Sequence, residues 1–157
     1  MTSPEPWSAS RAAGIVAEHQ HLEGATLPIL HALQHAFGYV DEGAVPLIAD
    51  ALNLSRAEVH GCITFYHDFR RAPAGRHEVK LCRAEACQAV GSDRLHAEIL
   101  GRLGCGWHET TADGHVTVDP VYCLGLCANG PAALVDGEPV AHLTADALEA
   151  ALTENRP

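Results

Sequence analysis

Two kinds of hydrophobic pattern follow one another along the chain. From about residue 11 to residue 69, apolar residues such as Leu27, Leu30 and Leu33 recur at the three- and four-residue spacing of an amphipathic helix. From His77 onward, short alternating runs such as HEVKLCR favour strands. The pattern predicts an α/β protein in which an N-terminal helical bundle precedes a domain with a mixed sheet.

Cap residues divide the first part into four predicted helices. Ser10 is the expected cap of the first helix, and Thr26, with Pro28 in the first turn, marks the start of the second. The fourth begins at Ser55, which forms a capping box with Glu58. The inward-facing residues of the third helix are expected to be Val45, Leu47, Ile48, Ala51 and Leu52.

A linker is predicted between residues 70 and 76, where Pro73 and Gly75 interrupt any regular periodicity. We therefore expect a helical region at residues 1–72 and a second domain at residues 77–155. Short connections between the helices of the first region are typical of a small bundle.

The second part follows the order strand, helix, strand, hairpin, helix, which is expected of a thioredoxin-like fold. The first helix is predicted from Ser92 to Leu103, Asp136-Gly137 is a strong hairpin turn, and Thr144 caps the final helix. Pro131 is expected to follow a cis peptide bond. Further strand-like runs are Trp107 to Thr111, His115 to Val118, Ala132 to Val135 and Pro139 to Leu143.

Composition narrows the function classes. The net charge of −10 and the single lysine make nucleic acid and anionic lipid poor partners. No apolar run approaches the roughly 18 residues of a membrane span, and the N-terminus MTSPEPWSAS lacks a secretory signal. A cytoplasmic location is therefore expected, where structural disulfides are rare, so the six cysteines indicate metal or redox chemistry.

Four of the cysteines form two close pairs. Four residues separate Cys82 from Cys87, and three separate Cys123 from Cys127. Each pair follows a predicted strand, and parallel strands would bring both loops to the same end of the sheet. The four thiolates then suit a [2Fe–2S] cluster, whose two irons accommodate wider spacings than a single ion.

Other thiol chemistries fit the spacing less well. Structural zinc sites most often have two residues between paired cysteines, and a thioredoxin-type C-x-x-C is absent. A plant-type ferredoxin needs a third cysteine where this chain has Val90, and Cys105 with His108 provides only half of a Rieske pattern. Spacing alone leaves zinc open as the alternative.

The flanks of the pairs favour the cluster. Gly125 and Gly130 allow backbone N–H groups to approach the sulfurs, and such hydrogen bonds tune a reduction potential. The small or apolar residues expected to shield the sulfurs are Ala84, Ala86, Leu124 and Leu126. Cys62 and Cys105 are interpreted as inert thiols.

The sequence resembles the thioredoxin-like [2Fe–2S] ferredoxin family, which includes the 24 kDa-type subunit of NADH dehydrogenases. The resemblance lies in Cys82-x4-Cys87, in VYCLGLCANGPAALVDG around Cys123 and Cys127, and in the helical segments LPILHALQHAFGYV and VHGCITFYHDF. It covers residues 11–150. The first cysteine loop, CRAEACQAVG, is most similar to the gamma subunit of NAD-dependent formate dehydrogenase.

The resemblance implies an electron-transfer subunit with no active site of its own. Its expected partners are an FMN- and NAD-binding beta-type subunit and a large molybdenum (or tungsten) catalytic subunit, which carry the FMN, the molybdenum cofactor and further Fe–S clusters. The chain itself has no G-x-G-x-x-G loop and no P-loop. Alternatives are the equivalent subunit of an NADH:quinone oxidoreductase or NAD-linked hydrogenase, and, from a different class, a zinc-stabilised interaction module.

Overall fold

The structure is a computed structural model that describes residues 4–154 of the chain. The chain divides into two compact units, with the boundary between Pro73 and Ala74. This boundary lies inside the segment from residue 70 to residue 76 that the sequence marks as a linker. None of the helices formed by the described residues is long and apolar enough to cross a membrane.

The first unit is helical. Its helices are α1 (Ala9–His19), α2 (Thr26–Phe37), α3 (Ala44–Leu52) and α4 (Arg56–Phe65). Its core contains apolar side chains from all four helices, and those that are fully buried include Ala12, Ile29, Leu30, Leu33, Ala44, Ile48 and Val59.

Two of the predicted helix starts are confirmed. α2 begins at Thr26, and α4 begins after Ser55, whose hydroxyl accepts from the Glu58 N–H at 3.2 Å while the Glu58 carboxylate accepts from the Ser55 N–H at 2.8 Å. The cap predicted for α1 is wrong, because the Ser8 hydroxyl, and not that of Ser10, accepts from the backbone of the first turn.

The predicted inward face of α3 is partly wrong. Ile48 is fully buried as expected, but the helix buries Ala44 and Ala49 beside it and leaves Ala51 exposed. Of the other residues on the predicted face, Val45, Leu47 and Leu52 are half-buried and pack against the same core, so Ala51 alone departs from the prediction.

The second unit is built on a mixed sheet of five strands in the order β2-β3-β1-β4-β5. The strands are β1 (His77–Cys82), β2 (Glu109–Thr110), β3 (Val116–Val121), β4 (Ala133–Val135) and β5 (Glu138–Val140). The helices are α5 (Glu85–Ala89), α6 (Ser92–Leu103) and α7 (Ala145–Glu154). β1 and β3 are parallel and the other pairs antiparallel, which confirms the predicted mixed sheet.

The core of this unit lies on one face of the sheet. Val79 of β1 is paired with Val118 of β3 on one side and with Val135 of β4 on the other, and all three are buried. Ile99 of α6 and Leu148 of α7 pack against them. The parallel strands β1 and β3 are thereby held in a fixed register, which sets the positions of the two cysteine segments.

The turns and helix caps of the second unit match the sequence-based predictions more closely than the ends of its strands do. Asp136 and Gly137 both have positive φ, 53° and 86°, and join β4 to β5 as the predicted hairpin turn. The Thr144 hydroxyl caps α7 by accepting from the Ala147 N–H. The peptide bond before Pro131 is cis, as expected. The strands themselves are shorter than predicted at the sheet edges, and α5 is an additional helix that the hydrophobic pattern does not predict.

Candidate metal centre

The parallel pairing of β1 and β3 brings both cysteine segments to one edge of the sheet. Cys82 is the last residue of β1 and lies in register with Val121, the last residue of β3. Cys123 follows two residues later in the chain. The Cys82 N–H donates to the carbonyl of Ala132 at 3.0 Å, which ties the segment before β4 to the same edge.

The first pair, Cys82 and Cys87, is buried. Each side chain is only 2% exposed, and both pack with Ala132. Cys87 lies in the short helix α5, whose first turn is closed by a hydrogen bond from the Cys87 N–H to the carbonyl of Ala84. The helix returns the chain toward the end of β1, and the two thiols are within hydrogen-bonding reach of each other.

The second pair, Cys123 and Cys127, is exposed. Its sulfur atoms lie 3.7 Å apart. Two thiolates bound at about 2.3 Å to one tetrahedral metal are separated by about 3.8 Å, so the observed distance suits two ligands of the same metal ion. The Gly125 N–H donates to the Cys123 sulfur at 3.4 Å.

The loop of the second pair is held in an uncommon backbone conformation. Cys123 has φ of 94° and Gly125 has φ of 76°. A positive φ is costly for a residue with a side chain and persists where surrounding structure imposes it, often at functional sites. The conformation turns the chain so that the Gly125 N–H faces the Cys123 sulfur.

Backbone groups of the second cysteine segment reach the Cys82 thiol. Burial alone would raise its pKa, but hydrogen bonds from the Ala84 N–H and from the Cys87 thiol oppose this. The backbone N–H groups of Cys123 and Leu124 add further hydrogen bonds. Together they hold the pKa of Cys82 below its ordinary value, which favours the thiolate form of this side chain.

The pKa values of Cys87 and Cys127 are raised. Burial, and then the hydrogen bond with Cys82, raises the pKa of Cys87. The hydrogen bond with Cys123 and the charge of that residue raise the pKa of Cys127. Each thiolate therefore opposes ionisation of its neighbour. Metal binding requires all of the ligands to be deprotonated, and the positive charge of a bound metal would offset the repulsion between the thiolates.

The surroundings of the thiols suit an iron–sulfur cluster. Within residues 4–154, no three of the His, Cys, Asp and Glu side chains are close enough together to hold a single metal ion; the described residues offer two pairs of thiols. Cysteine thiolates are the usual ligands of [2Fe–2S] clusters. A Cβ at Gly130 would lie only 3.4 Å from the Cys87 sulfur, so glycine permits close backbone approach there.

The shielding predicted from the flanks is largely found. Ala84, Leu124 and Leu126 pack against the buried group formed by Cys82, Cys87 and Ala132. Ala86, which is expected from the sequence to join them, is half-buried but does not belong to that group. Apolar cover on this side lowers the local dielectric and limits access of water to the sulfurs.

The remaining two cysteines belong to other parts of the structure. Cys62 is half-buried in the helical core, and Cys105 is half-buried against the core of the sheet. Burial raises the pKa of both thiols, and Glu109 adds to the effect at Cys105. A neutral thiol is a poor nucleophile and a poor ligand, which supports the interpretation of both as inert.

Two exposed apolar residues at this end of the sheet are not among the candidates that the sequence suggests. Tyr122, which directly precedes Cys123, is 71% exposed, and Val90, three residues after Cys87, is 55% exposed. The aromatic residue next to Cys123 in the sequence is the only signal for Tyr122. Spacing and composition do not distinguish an exposed aromatic ring from a buried one.

A family model described as "Thioredoxin-like [2Fe-2S] ferredoxin" matches residues 12–156. The E subunit of NADH-quinone oxidoreductase from Pseudomonas aeruginosa is 36% identical over 134 residues, which cover 83% of this chain and 81% of that protein. The corresponding protein of Escherichia coli K12 is 35% identical over 144 residues, covering 90% and 87%.

Among solved structures, the chain is similar to an NAD+-reducing [NiFe]-hydrogenase in the H2-reduced state. The TM-score is 0.67 at 25% sequence identity, and the match covers 93% of this chain. It spans only 23% of the hydrogenase chain, so the remainder of that chain has no counterpart here.

Proposed function

Because the chain belongs to the thioredoxin-like [2Fe–2S] ferredoxin family, we propose that it is the electron-transfer subunit of a multisubunit NAD-dependent formate dehydrogenase. Its cofactor is the [2Fe–2S] cluster of that family. We assign the cluster to four ligands, which are Cys82, Cys87, Cys123 and Cys127. The chain has no catalytic residues of its own in this proposal and exchanges electrons near the FMN of the NAD-reducing subunit.

The observation that carries the proposal is the convergence of one buried and one exposed thiol pair at the same sheet edge. When bound, the cluster supplies a one-electron redox couple. Cys82 and Cys87 would bind the cluster from the buried part of the site, away from water. Cys123 and Cys127 would bind it at the surface, where an electron acceptor or donor on another protein can approach.

The surface around the exposed pair supports a docked subunit. Exposed large apolar residues are characteristic of protein interfaces, where aromatic side chains are enriched. Tyr122 and Val90 provide such residues near the ligands, and Phe65, 73% exposed at the end of α4, provides another in the helical unit. A carrier that diffuses freely needs only the cluster domain, whereas this chain also has the helical region.

Formate dehydrogenase is proposed from the first cysteine loop, CRAEACQAVG, between β1 and α6. The proposed partners are an FMN- and NAD-binding subunit and a large molybdenum (or tungsten) subunit, in a cytoplasmic complex. The second candidate is the equivalent subunit of an NADH:quinone oxidoreductase. It is favoured by the relatives named as E subunits of NADH-quinone oxidoreductase, which match over most of both chains.

We further propose that the two compact units are separate domains, with the helical region at 1–72 and the thioredoxin-like [2Fe–2S] domain at 77–155. The separate hydrophobic cores of the two units support this division. The segment between them contains Pro73 and Gly75 and forms no helix or strand.

Purification of the tagged chain from the cells that produce it tests the partner assignment. We expect a flavoprotein containing FMN and a large subunit containing molybdenum or tungsten to co-purify, and the complex to reduce NAD+ with formate. A complex that contains nickel and oxidises hydrogen, or one that reduces quinone with NADH, would overturn the formate dehydrogenase assignment.

In the same purification, Tyr122→Asp is expected to reduce recovery of the flavoprotein at least tenfold while leaving bound iron unchanged. Loss of an aromatic anchor at an interface costs about 2 kcal/mol or more, which corresponds to roughly 30-fold in affinity. Leu22→Asp is the matched control, since Leu22 is also an exposed apolar residue but lies in the helical unit between α1 and α2. Equal recovery with both variants would contradict docking at the cluster end.

A further inference from the structure

Arg83, Trp107 and His96 form a stack beside the cysteine segments, called here the Arg83 stack. The guanidinium carbon of Arg83 lies 5.0 Å from the centre of the Trp107 ring. The Trp107 and His96 ring centres are 5.5 Å apart, with their planes at 90°. A guanidinium over an aromatic face is held by attraction to the ring quadrupole, and arginine suits such stacking better than lysine.

The backbone of Arg83 is fixed to both cysteine segments. Its N–H donates to the carbonyl of Val121 at 2.7 Å, two residues before Cys123. Its carbonyl accepts from the side-chain amide of Gln88 at 2.8 Å, one residue after Cys87. Arg83 also directly follows Cys82, whose Cα is about 3.8 Å from its own. Its side chain therefore starts from a point among the ligands, and Trp107 fixes its end.

The other end of the stack is a buried histidine. His96 is only 3% exposed, and neither of its ring nitrogens has a hydrogen-bond partner within residues 4–154. Burial lowers the pKa of His96; Asp93 opposes this effect, and Arg83 adds to it. His96 is therefore a neutral support against which Trp107 packs.

Ion pairs are formed by other arginines, such as Arg11, Arg71 and Arg102. Arg83 forms no ion pair with any of the described residues, so its positive charge is not cancelled in this way. Reduction of a [2Fe–2S] cluster with four thiolates changes the total charge of the site from −2 to −3. A fixed positive charge nearby stabilises the more negative state by more than it stabilises the less negative one.

We propose that Arg83 is a potential-setting residue that raises the reduction potential of the cluster, and that Trp107 and His96 are positioning residues that fix its charge. The inference rests on the proposed ligand set of Cys82, Cys87, Cys123 and Cys127. Its consequence is that the cluster accepts an electron more readily than an otherwise acidic chain, with net charge −10, would allow.

An equilibrium redox titration of the cluster-containing chain, followed by EPR, tests the proposal. Arg83→Gln is expected to shift the one-electron equilibrium about tenfold toward the oxidised form, which is about 59 mV in midpoint potential. Arg83→Lys keeps the charge and is expected to shift it less than threefold. Arg76→Gln, at the opposite end of β1 about 20 Å away, makes the same charge change and is expected to leave the potential unchanged.

Trp107→Leu provides a second test that leaves Arg83 in place. Loss of the ring frees the guanidinium, so the one-electron equilibrium is expected to shift about threefold toward the oxidised form. Trp107→Phe keeps an aromatic face and is expected to leave the potential unchanged. If Arg83→Gln fails to retain the cluster, this pair decides the question.

Three results would overturn the inference. They are an Arg83→Gln potential equal to that of Arg76→Gln, an Arg83→Lys shift as large as that of Arg83→Gln, and a Trp107→Leu potential equal to that of the unchanged chain. Iron analysis and the visible spectrum of the unchanged chain separate these from failure of the ligand assignment, because a chain without iron has no cluster whose potential can be measured.

Discussion

Cys127→Ser is expected to reduce bound iron from about two atoms per chain to less than one-tenth of that value. An iron with one of its two thiolates replaced by a weakly acidic hydroxyl loses a strong ligand, and the second iron is then lost with the cluster. Cys127 is the best site for the change because its side chain is exposed, so that serine neither buries a polar group nor leaves a cavity. Iron assay and visible absorption measure the effect.

Cys105→Ser is the matched control for this substitution. Cys105 is also a free cysteine of the second unit, but it packs against the core of the sheet and not with the ligand pairs. The variant is expected to retain the full iron content and the unchanged visible spectrum. Full iron in Cys127→Ser would remove that residue from the ligand set, and iron loss in both variants would mean that the loss does not report on ligation.

Leu81→Ala is expected to lower the free energy of unfolding of the cluster domain by about 2–5 kcal/mol and to accelerate release of iron. Leu81 is fully buried, directly precedes Cys82 and lies in register with Pro120 and Ala133 on the neighbouring strands. A cavity at this position loosens the strand that ends at Cys82. Urea unfolding followed by circular dichroism, with iron release followed in the visible range, measures both effects.

Leu33→Ala is the control for the location of the cavity. Leu33 is also a fully buried leucine, but it lies in α2 and belongs to the helical core. Its replacement is expected to destabilise the helical region by a similar amount and to leave the rate of iron release unchanged. Equal acceleration of iron release by both variants would show that the chain unfolds as one cooperative unit, which would contradict domains at 1–72 and 77–155.

Features that depend on local chemistry are predictable from the sequence. The capping box of Ser55 with Glu58 and the Asp136-Gly137 turn each require particular residue types within a few positions, and both occur as expected. The start of α2 at Thr26 is of the same kind. Each of these features is decided within one turn of chain, so that distant residues have little influence on it.

Features decided by tertiary contacts are predicted less well. On α6, Ser92 and His96 are more deeply buried than Leu95, although both are polar. A polar side chain at a buried position depends on what packs beside it, in this case Trp107. The five-residue helix α5 escapes prediction because so short an element has no measurable periodicity.

The candidate site shows the same division. The four cysteines are identifiable by their spacing, and the parallel pairing of β1 and β3 agrees with the expectation that their loops meet at one end of the sheet. The difference in burial between the two pairs is not predictable. It arises from the return of the chain through α5 and from the positive φ of Cys123, neither of which leaves a pattern in the sequence.

The ligand assignment is tested most directly by metal analysis and EPR of the purified, unchanged chain. We expect a red-brown protein with about two irons per chain, no stoichiometric zinc, and an S = 1/2 signal after reduction with dithionite. A colourless protein with one zinc per chain would contradict the assignment and would support a zinc-stabilised interaction module.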